Sequence, residues 1–467
     1  MNIYMIAFVI YLVGMLAVSF ICKDKAGEST GSFFVANRGL GYVVLFGTLV
    51  GTALGGGVTL GTVGVAYNGG YYQWVLALSG ALGYLLLAFM AGRLYKTQAV
   101  TTPDILAARY GKTGRYISAF FNLIYNIVVV AGQIISMGTV LQFVLGVDFQ
   151  MAMIITTIVF VIYTMFGGMY SVAYTDVVQS AFIFGGLAYI LYFVLDKVGG
   201  FSNAIALLEG TVDPSYFNWT APGMTYISSY YLYTIFGIVT MQIIHQRIFA
   251  ASSELKAKRT MFMLLGSIVV VYIIPPIIGM CGRVLMPGLD MPQNTIPILV
   301  RDMMPPVAGA LVFVALISVM MSTADSTLLS LASTVVQDYY LPLTGKTEEE
   351  VGAKKVVQIS RIVIIVMAAV SLLVSINNAL LMPLQVFRLT VLASAIAVPL
   401  IAALYWKRAT PLAGVLSMAC GGFGCMIWEA LKFSFPSIFV GMGLSLVMML
   451  VVSYAQKPPA QLPAWMD

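Results

Sequence analysis

Apolar runs of roughly 20 residues, separated by short polar segments, repeat along the whole chain. They predict thirteen membrane-spanning helices at 3–22, 41–65, 72–97, 116–145, 149–166, 172–195, 225–250, 260–286, 305–336, 356–375, 381–406, 411–431 and 435–455. No basic residue precedes the first run, which is also longer than the apolar core of a secretory leader, so it reads as a retained helix. The chain reads as an all-α polytopic membrane protein with one domain over 1–467 and no soluble unit. Segment 197–224 is long enough for a short surface helix. Thr101-Thr102-Pro103-Asp104 is an N-cap pattern that starts a short helix running to Tyr110. The Pro-rich tail, 456–467, reads as disordered.

Polar residues inside these runs carry the chemistry. In the ninth run, Ser322, Asp325, Ser326, Leu329, Ser330 and Ser333 share one helical face. Hydroxyls alone can back-bond to their own helix, but an intramembrane carboxylate is costly and marks a functional site by default. An all-oxygen ligand set suits a hard cation, so this face reads as a sodium site. The alternative is polar glue between packed helices. In the second run Gly55-Gly56-Gly57 stands at mid-membrane, where each glycine costs about 1 kcal/mol against Ala in a helix. Either the helix unwinds there and frees backbone groups for a ligand, or the glycines permit close packing. Asp176 enters the sixth run from its polar end, as a second cation ligand or as a carboxylate favoured by a helix N-terminus. Arg388 lies within the eleventh run, where it either snorkels outward or faces a cavity and pairs with an acidic solute. Arg247 reads as a snorkelling anchor, and His245 as an interfacial residue.

Composition agrees with the pattern: 60% of the 467 residues are hydrophobic and 9% charged, against about a quarter charged in soluble domains. The net charge of +6 is no nucleic-acid signal, because the basic residues sit in short loops. With the N-terminus outside, only Lys197, Arg283, Arg301 and Lys432 of the 24 Lys and Arg fall in outer segments; Arg388 is within a span and the rest are inside. That asymmetry predicts an outer N-terminus and, from thirteen spans, a cytoplasmic C-terminus. One His and four Cys offer no zinc, haem or iron–sulfur pattern. Gly345-Lys346-Thr347 lacks the upstream glycine of a phosphate loop, since Tyr340 stands there, so it is no nucleotide site. No nucleophile–base pair occurs at membrane depth, which argues against an enzyme.

Taken in order, four motifs resemble the sodium:solute symporter family over nearly the whole chain. They are Phe33-Phe34-Val35-Ala36-Asn37-Arg38, the glycine-rich second run, Gly167-Gly168 with Thr175-Asp176-Val177-Val178-Gln179, and Ser322-Thr323-Ala324-Asp325-Ser326. The resemblance implies a leucine-transporter-type fold of five-plus-five inverted repeats. The repeats would be 41–195 and 225–406, with 3–22 and 411–455 peripheral and the second and seventh spans broken. It implies a sodium site made of the carbonyls of Gly51, Leu54 and Val319 with the side chains of Ser322 and Thr323. A second ion would use Asp176, Ser322, Asp325 and Ser326, so one or two sodium ions are expected. Local similarity to choline carriers is offset by Ala53, Val129 and Met241, which stand where those carriers place cage tryptophans.

These readings converge on sodium-coupled uptake of a small organic solute by alternating access. The solute would bind near Ala53, Gly55, Gln73, Gln133, Gln242 and Arg388, and a carboxylate would suit Arg388. The expected partners are the solute, sodium and the lipid bilayer of a plasma membrane, with neither nucleic acid nor an obligate protein partner. Two alternatives stay open: a proton-coupled carrier in which Asp325 or Asp176 titrates, and a transporter-like solute sensor.

Overall fold

The computed structural model describes residues 3–26, 29–377 and 381–466. Those residues are helical almost throughout, and no strand occurs among them. The main helices are α1 (Ile3–Ala26), α2 (Tyr42–Ala53), α3 (Thr62–Gly69), α4 (Tyr72–Lys96), α5 (Thr102–Leu145), α6 (Phe149–Val198), α7 (Met224–Val239) and α8 (Gln242–Ala250). They continue as α9 (Glu254–Leu285), α10 (Pro306–Ser333), α11 (Ala353–Ile376), α12 (Leu381–Leu392), α13 (Val398–Tyr405), α14 (Pro411–Ala430) and α15 (Ser437–Ala455).

Eleven of the described helices are long and apolar enough to cross a membrane, and the bent pair Tyr42–Ala53 and Gly57–Gly69 makes a twelfth. The sequence pattern predicts thirteen. The difference falls at 149–166, where Phe149–Met165 is apolar but short. It joins the following span in the single element α6, which turns at Gly168 with φ 50 and ψ −154. Side chains rarely adopt that backbone conformation, and a Cβ at Gly168 would also stand 2.7 Å from the Phe33 carbonyl oxygen.

Two further breaks matter more. The second span bends by 53° between α2 and the turn that opens α3, because Leu54 leaves the helix with φ −107 and ψ 99. The seventh span stops at Thr240, and Met241 takes φ −65 and ψ 105 before α8 begins. Every residue of α8 is buried, so this half-helix lies inside the bundle rather than at its rim.

Lipid offers helices no hydrophobic reward for associating, so close backbone approach holds such bundles together. Gly279 of α9 lies so near α3 that a Cβ there would overlap the Val63 carbonyl, and Gly421 of α14 meets the Ser394 carbonyl in the same way. The outer faces carry exposed Ile21, Val43, Phe89, Leu373 and Tyr454, as suits contact with lipid.

Two local expectations are met. Thr101 and Asp104 form a reciprocal capping box, the first helical stretch turns at Gly111 with φ 77, and Phe201–Glu209 is a short helix in the long segment. The tail differs from expectation: Ala464–Met466 form a 3-10 turn, Trp465 Nε1 donates to the Ala403 carbonyl at 3.4 Å, and Met466 is buried. Two apolar side chains at its end dock the segment; Asp467 lies outside the described residues.

The bend at Gly168 generates a test. Gly168→Ala is expected to cost about 1–3 kcal/mol through its backbone conformation, seen as a lower melting temperature in detergent. An unchanged melting temperature would show that the bend does not exist.

Candidate ion and solute site

The last carbonyls of a helix have no helical N–H to accept from. At the end of α2 those carbonyls face α10. Thr323 Oγ1 stands 3.1 Å from the Leu54 carbonyl oxygen, 3.5 Å from that of Gly51 and 3.3 Å from that of Val319 on its own helix. One hydroxyl proton satisfies only one of these three acceptors. The remaining lone pairs converge, and an all-oxygen set of this kind is chemistry for a hard monovalent cation. On the far side of the break Gly56 N–H donates to Gln133 Oε1 at 2.9 Å. The freed backbone is thus met by α10 on one side and α5 on the other.

Ser322 is turned elsewhere. Its hydroxyl donates to Asp176 Oδ1, and Thr48 donates to Asp176 Oδ2. A Cβ on Gly51 would overlap Ser322 Oγ and stand 3.2 Å from Asp176 Oδ1, so α2 must present glycine here. Asp176 has a partner that the sequence pattern does not reveal: Arg247 of α8, whose Nη2 lies 3.8 Å from Asp176 Oδ2 with both side chains fully buried. Arg247 also donates through Nε to Thr48 Oγ1 at 3.2 Å, through Nη1 to the Ile243 carbonyl at 3.0 Å, and through Nη2 to Ser326 Oγ. Arg247 is therefore no snorkelling anchor. Asp325 accepts from the backbone N–H of Ser326, while its Oδ2 is buried without a hydrogen-bond partner among the described residues. It is close enough to feel the charges of both Asp176 and Arg247.

Beside this cluster lies a cavity of about 50 Å³, lined among others by Ala53, Gly55, Gly57, Gln133, Gln385 and Arg388. Arg388 faces this cavity: its Nη1 donates to the Tyr125 hydroxyl at 2.7 Å, and its guanidinium lies 5.1 Å from the centre of the Tyr125 ring. No carboxylate pairs with it among the described residues. The lining also includes Tyr84, Tyr125, Tyr272, Thr234 and Gln385, which the sequence reading did not single out. Gln385 was detectable as the polar residue one turn before Arg388. The tyrosines were not, because the apolar runs contain many.

An open vestibule of about 580 Å³ lies toward α3, lined by Gly61, Gly64, Tyr226, Pro292 and, one residue from Arg388, Phe387. The other side is closed by a polar network. Gln242 Oε1 accepts from Asn122 Nδ2 at 2.7 Å and from Thr102 N–H at 3.2 Å, and its Nε2 donates to Ser330, Ser333 and Thr334. His245 Nε2 meets the Val239 carbonyl at 2.8 Å, so that nitrogen carries the proton, and the Thr102 hydroxyl donates to Nδ1 at 2.8 Å.

Of the residues expected around the solute, Ala53, Gly55, Gln133 and Arg388 line the cavity, whereas Gln73 and Gln242 do not. The break at Met241 is the cause for Gln242: Met241 lines the cavity, and the next residue opens α8 on its closed side. Gln73 is buried near the start of α4. His245 is buried, not interfacial.

Broken helices around a buried cavity, with freed carbonyls facing a hydroxyl-bearing helix, are the arrangement that ion-coupled membrane carriers use. Residues 33–421 match the sodium:solute symporter family, and the chain belongs to that family. It is similar to the sodium/pantothenate symporter of Haemophilus influenzae, with 26% identity over 89% of this chain and 88% of that protein. It is also similar to the osmoregulated proline transporter OpuE of Bacillus subtilis, with 24% identity over 97% of this chain and 94% of that one. Among solved structures, a Na+-coupled sialic acid symporter in a substrate-bound outward-open state shares the fold: TM-score 0.86, 19% identity, 99% of both chains covered. The chain is thus a membrane transporter of leucine-transporter-type fold, not an enzyme, with sodium as coupling ion and a small solute as cargo.

The buried pair makes a prediction about stability. Arg247→Met strands Asp176 and is expected to cost about 3–5 kcal/mol, with much of that recovered when Asp176→Asn is added. Thermal unfolding of both single variants and the double variant measures this. Additive losses would mean that the two charges do not interact.

Proposed function

We propose that this protein carries a small carboxylate solute into the cell together with sodium. The observation that supports the ion site most directly is the convergence of Thr323 Oγ1 with the carbonyls of Gly51, Leu54 and Val319. Sodium bound there, with Ser322 turning in as a further ligand, would tie α10 to the end of α2 and hold the two in one relative position. Asp176, Asp325 and Ser326 are the second candidate set. There Arg247 already supplies one positive charge, so one tightly held sodium is the simpler stoichiometry. The solute would bind between Ala53, Gly55 and Gln133 with its carboxylate on Arg388, a forked donor suited to that group.

In this reading the vestibule is the outer entrance and the network around Gln242 is the closed inner gate. The bundle works as two inverted repeats, 41–195 and 225–406, in a plasma membrane with the N-terminus outside and the C-terminus inside. Sodium and solute each raise the other's affinity by the same factor. One positive charge moving inward across 100 mV contributes about 2.3 kcal/mol.

Proteoliposomes with an inward sodium gradient are expected to take up a carboxylate solute, and an equal potassium gradient is expected to fail. Arg388→Gln should raise KM for that solute about tenfold or more, equivalent to about 1.4 kcal/mol, while leaving sodium-dependent stabilisation of the protein in place. Uptake driven equally by a proton gradient without sodium would overturn the ion assignment. Equal transport of a neutral amide of the same skeleton would overturn the carboxylate assignment.

A further inference from the structure

The polar atoms left over around Arg388 describe what else the solute carries. Arg388 and Gln385 are three residues apart on α12 and both line the cavity, so they are neighbours on one helical face. Arg388 can only donate. Gln385 offers the opposite: its Oε1 is buried and accepts no hydrogen bond among the described residues. That oxygen lies against the broken helix, in the space that a Cβ on Gly57 would fill. The amide of Gln133 is oriented the other way, with Oε1 taken by Gly56 N–H at 2.9 Å and Nε2 beside Gly55. A buried acceptor without a donor keeps an unrecovered desolvation penalty until a ligand supplies one.

We propose that the solute is a 2-hydroxy monocarboxylate, held by its carboxylate on Arg388 and by its hydroxyl donating to Gln385 Oε1. The proposal rests on the carboxylate reading of Arg388 given above. A donor on the carbon next to the carboxylate is the arrangement that two adjacent side chains on one helix face can read together. An ammonium at that carbon would also donate. It would, however, bring a second positive charge close to the guanidinium, in a cavity with no Asp or Glu in its described lining. A quaternary ammonium offers no donor, and Arg388 already lies over the Tyr125 ring on which such a cation would rest. Val129, Met241 and Leu389 supply apolar wall for the hydrocarbon.

The test is a ligand titration of the purified full chain in sodium, read by thermal shift. It uses acids of three to six carbons in deoxy, 2-hydroxy and 2-amino forms, for example propionate, lactate and alanine. At the preferred chain length the 2-hydroxy acid is expected to half-saturate at about tenfold lower concentration than its deoxy partner, and the 2-amino acid is expected to be the weakest. In Gln385→Leu, or in Gln385→Met if that variant does not fold, the hydroxy and deoxy acids are expected to converge. If acids bind but the hydroxyl adds nothing, or its advantage survives the loss of Gln385, the proposal is overturned and the carboxylate reading stands. Tightest binding by the 2-amino form would likewise overturn it. If no acid of any form shifts the protein in sodium, the carboxylate reading fails and takes this proposal with it.

Discussion

The interruption of the second span at Leu54–Gly55 is the constraint on which the rest of the site depends. Backbone groups released at membrane depth find no water, so other protein groups or a ligand must satisfy them. Here α10 meets the carbonyl side through Thr323, and α5 meets the N–H side through Gln133. Thr323 and Gln133 also line the cavity, so in the proposed reading the device that makes a broken helix tolerable sets the cation next to the solute. In that reading ion and solute share one structural element, which would couple them physically.

Charge at depth is handled by a second device. Asp176 would be costly alone in this environment, and Arg247, two hydroxyls and the fold of α8 make it tolerable. That arrangement also divides the polar face of α10 by function. Ser322 and Ser326 belong to the charged cluster, whereas Ser330 and Ser333 receive Gln242 and help to close the far side. One helix face therefore carries both a buried charged cluster and interhelical hydrogen bonds, at different positions along α10.

Much of the architecture is legible in the sequence because membrane helices announce themselves by length and hydropathy, and because Gly55-Gly56-Gly57 is hard to reconcile with an unbroken span. The structure brings Thr323 to Gly51, Leu54 and Val319, a grouping that follows from the family resemblance and not from spacing. What is not legible depends on tertiary burial. A basic residue near the end of an apolar run looks the same whether it snorkels or pairs, so only the complete burial of α8 separates the two fates of Arg247. A one-residue shift at Met241 decides which of two neighbours lines the cavity, and periodicity cannot locate that shift. The docked tail turns on Trp465 and Met466, too few apolar residues to form a pattern.

The central claim is that Thr323 and the end of α2 form a sodium site. Equilibrium binding of radioactive sodium to the purified protein tests it most directly. Saturable binding that excess sodium displaces and excess potassium does not is expected, with loss of that binding in Thr323→Val while the variant keeps its melting temperature in potassium. Binding that is absent in the unaltered protein, or unchanged in Thr323→Val, would contradict the account.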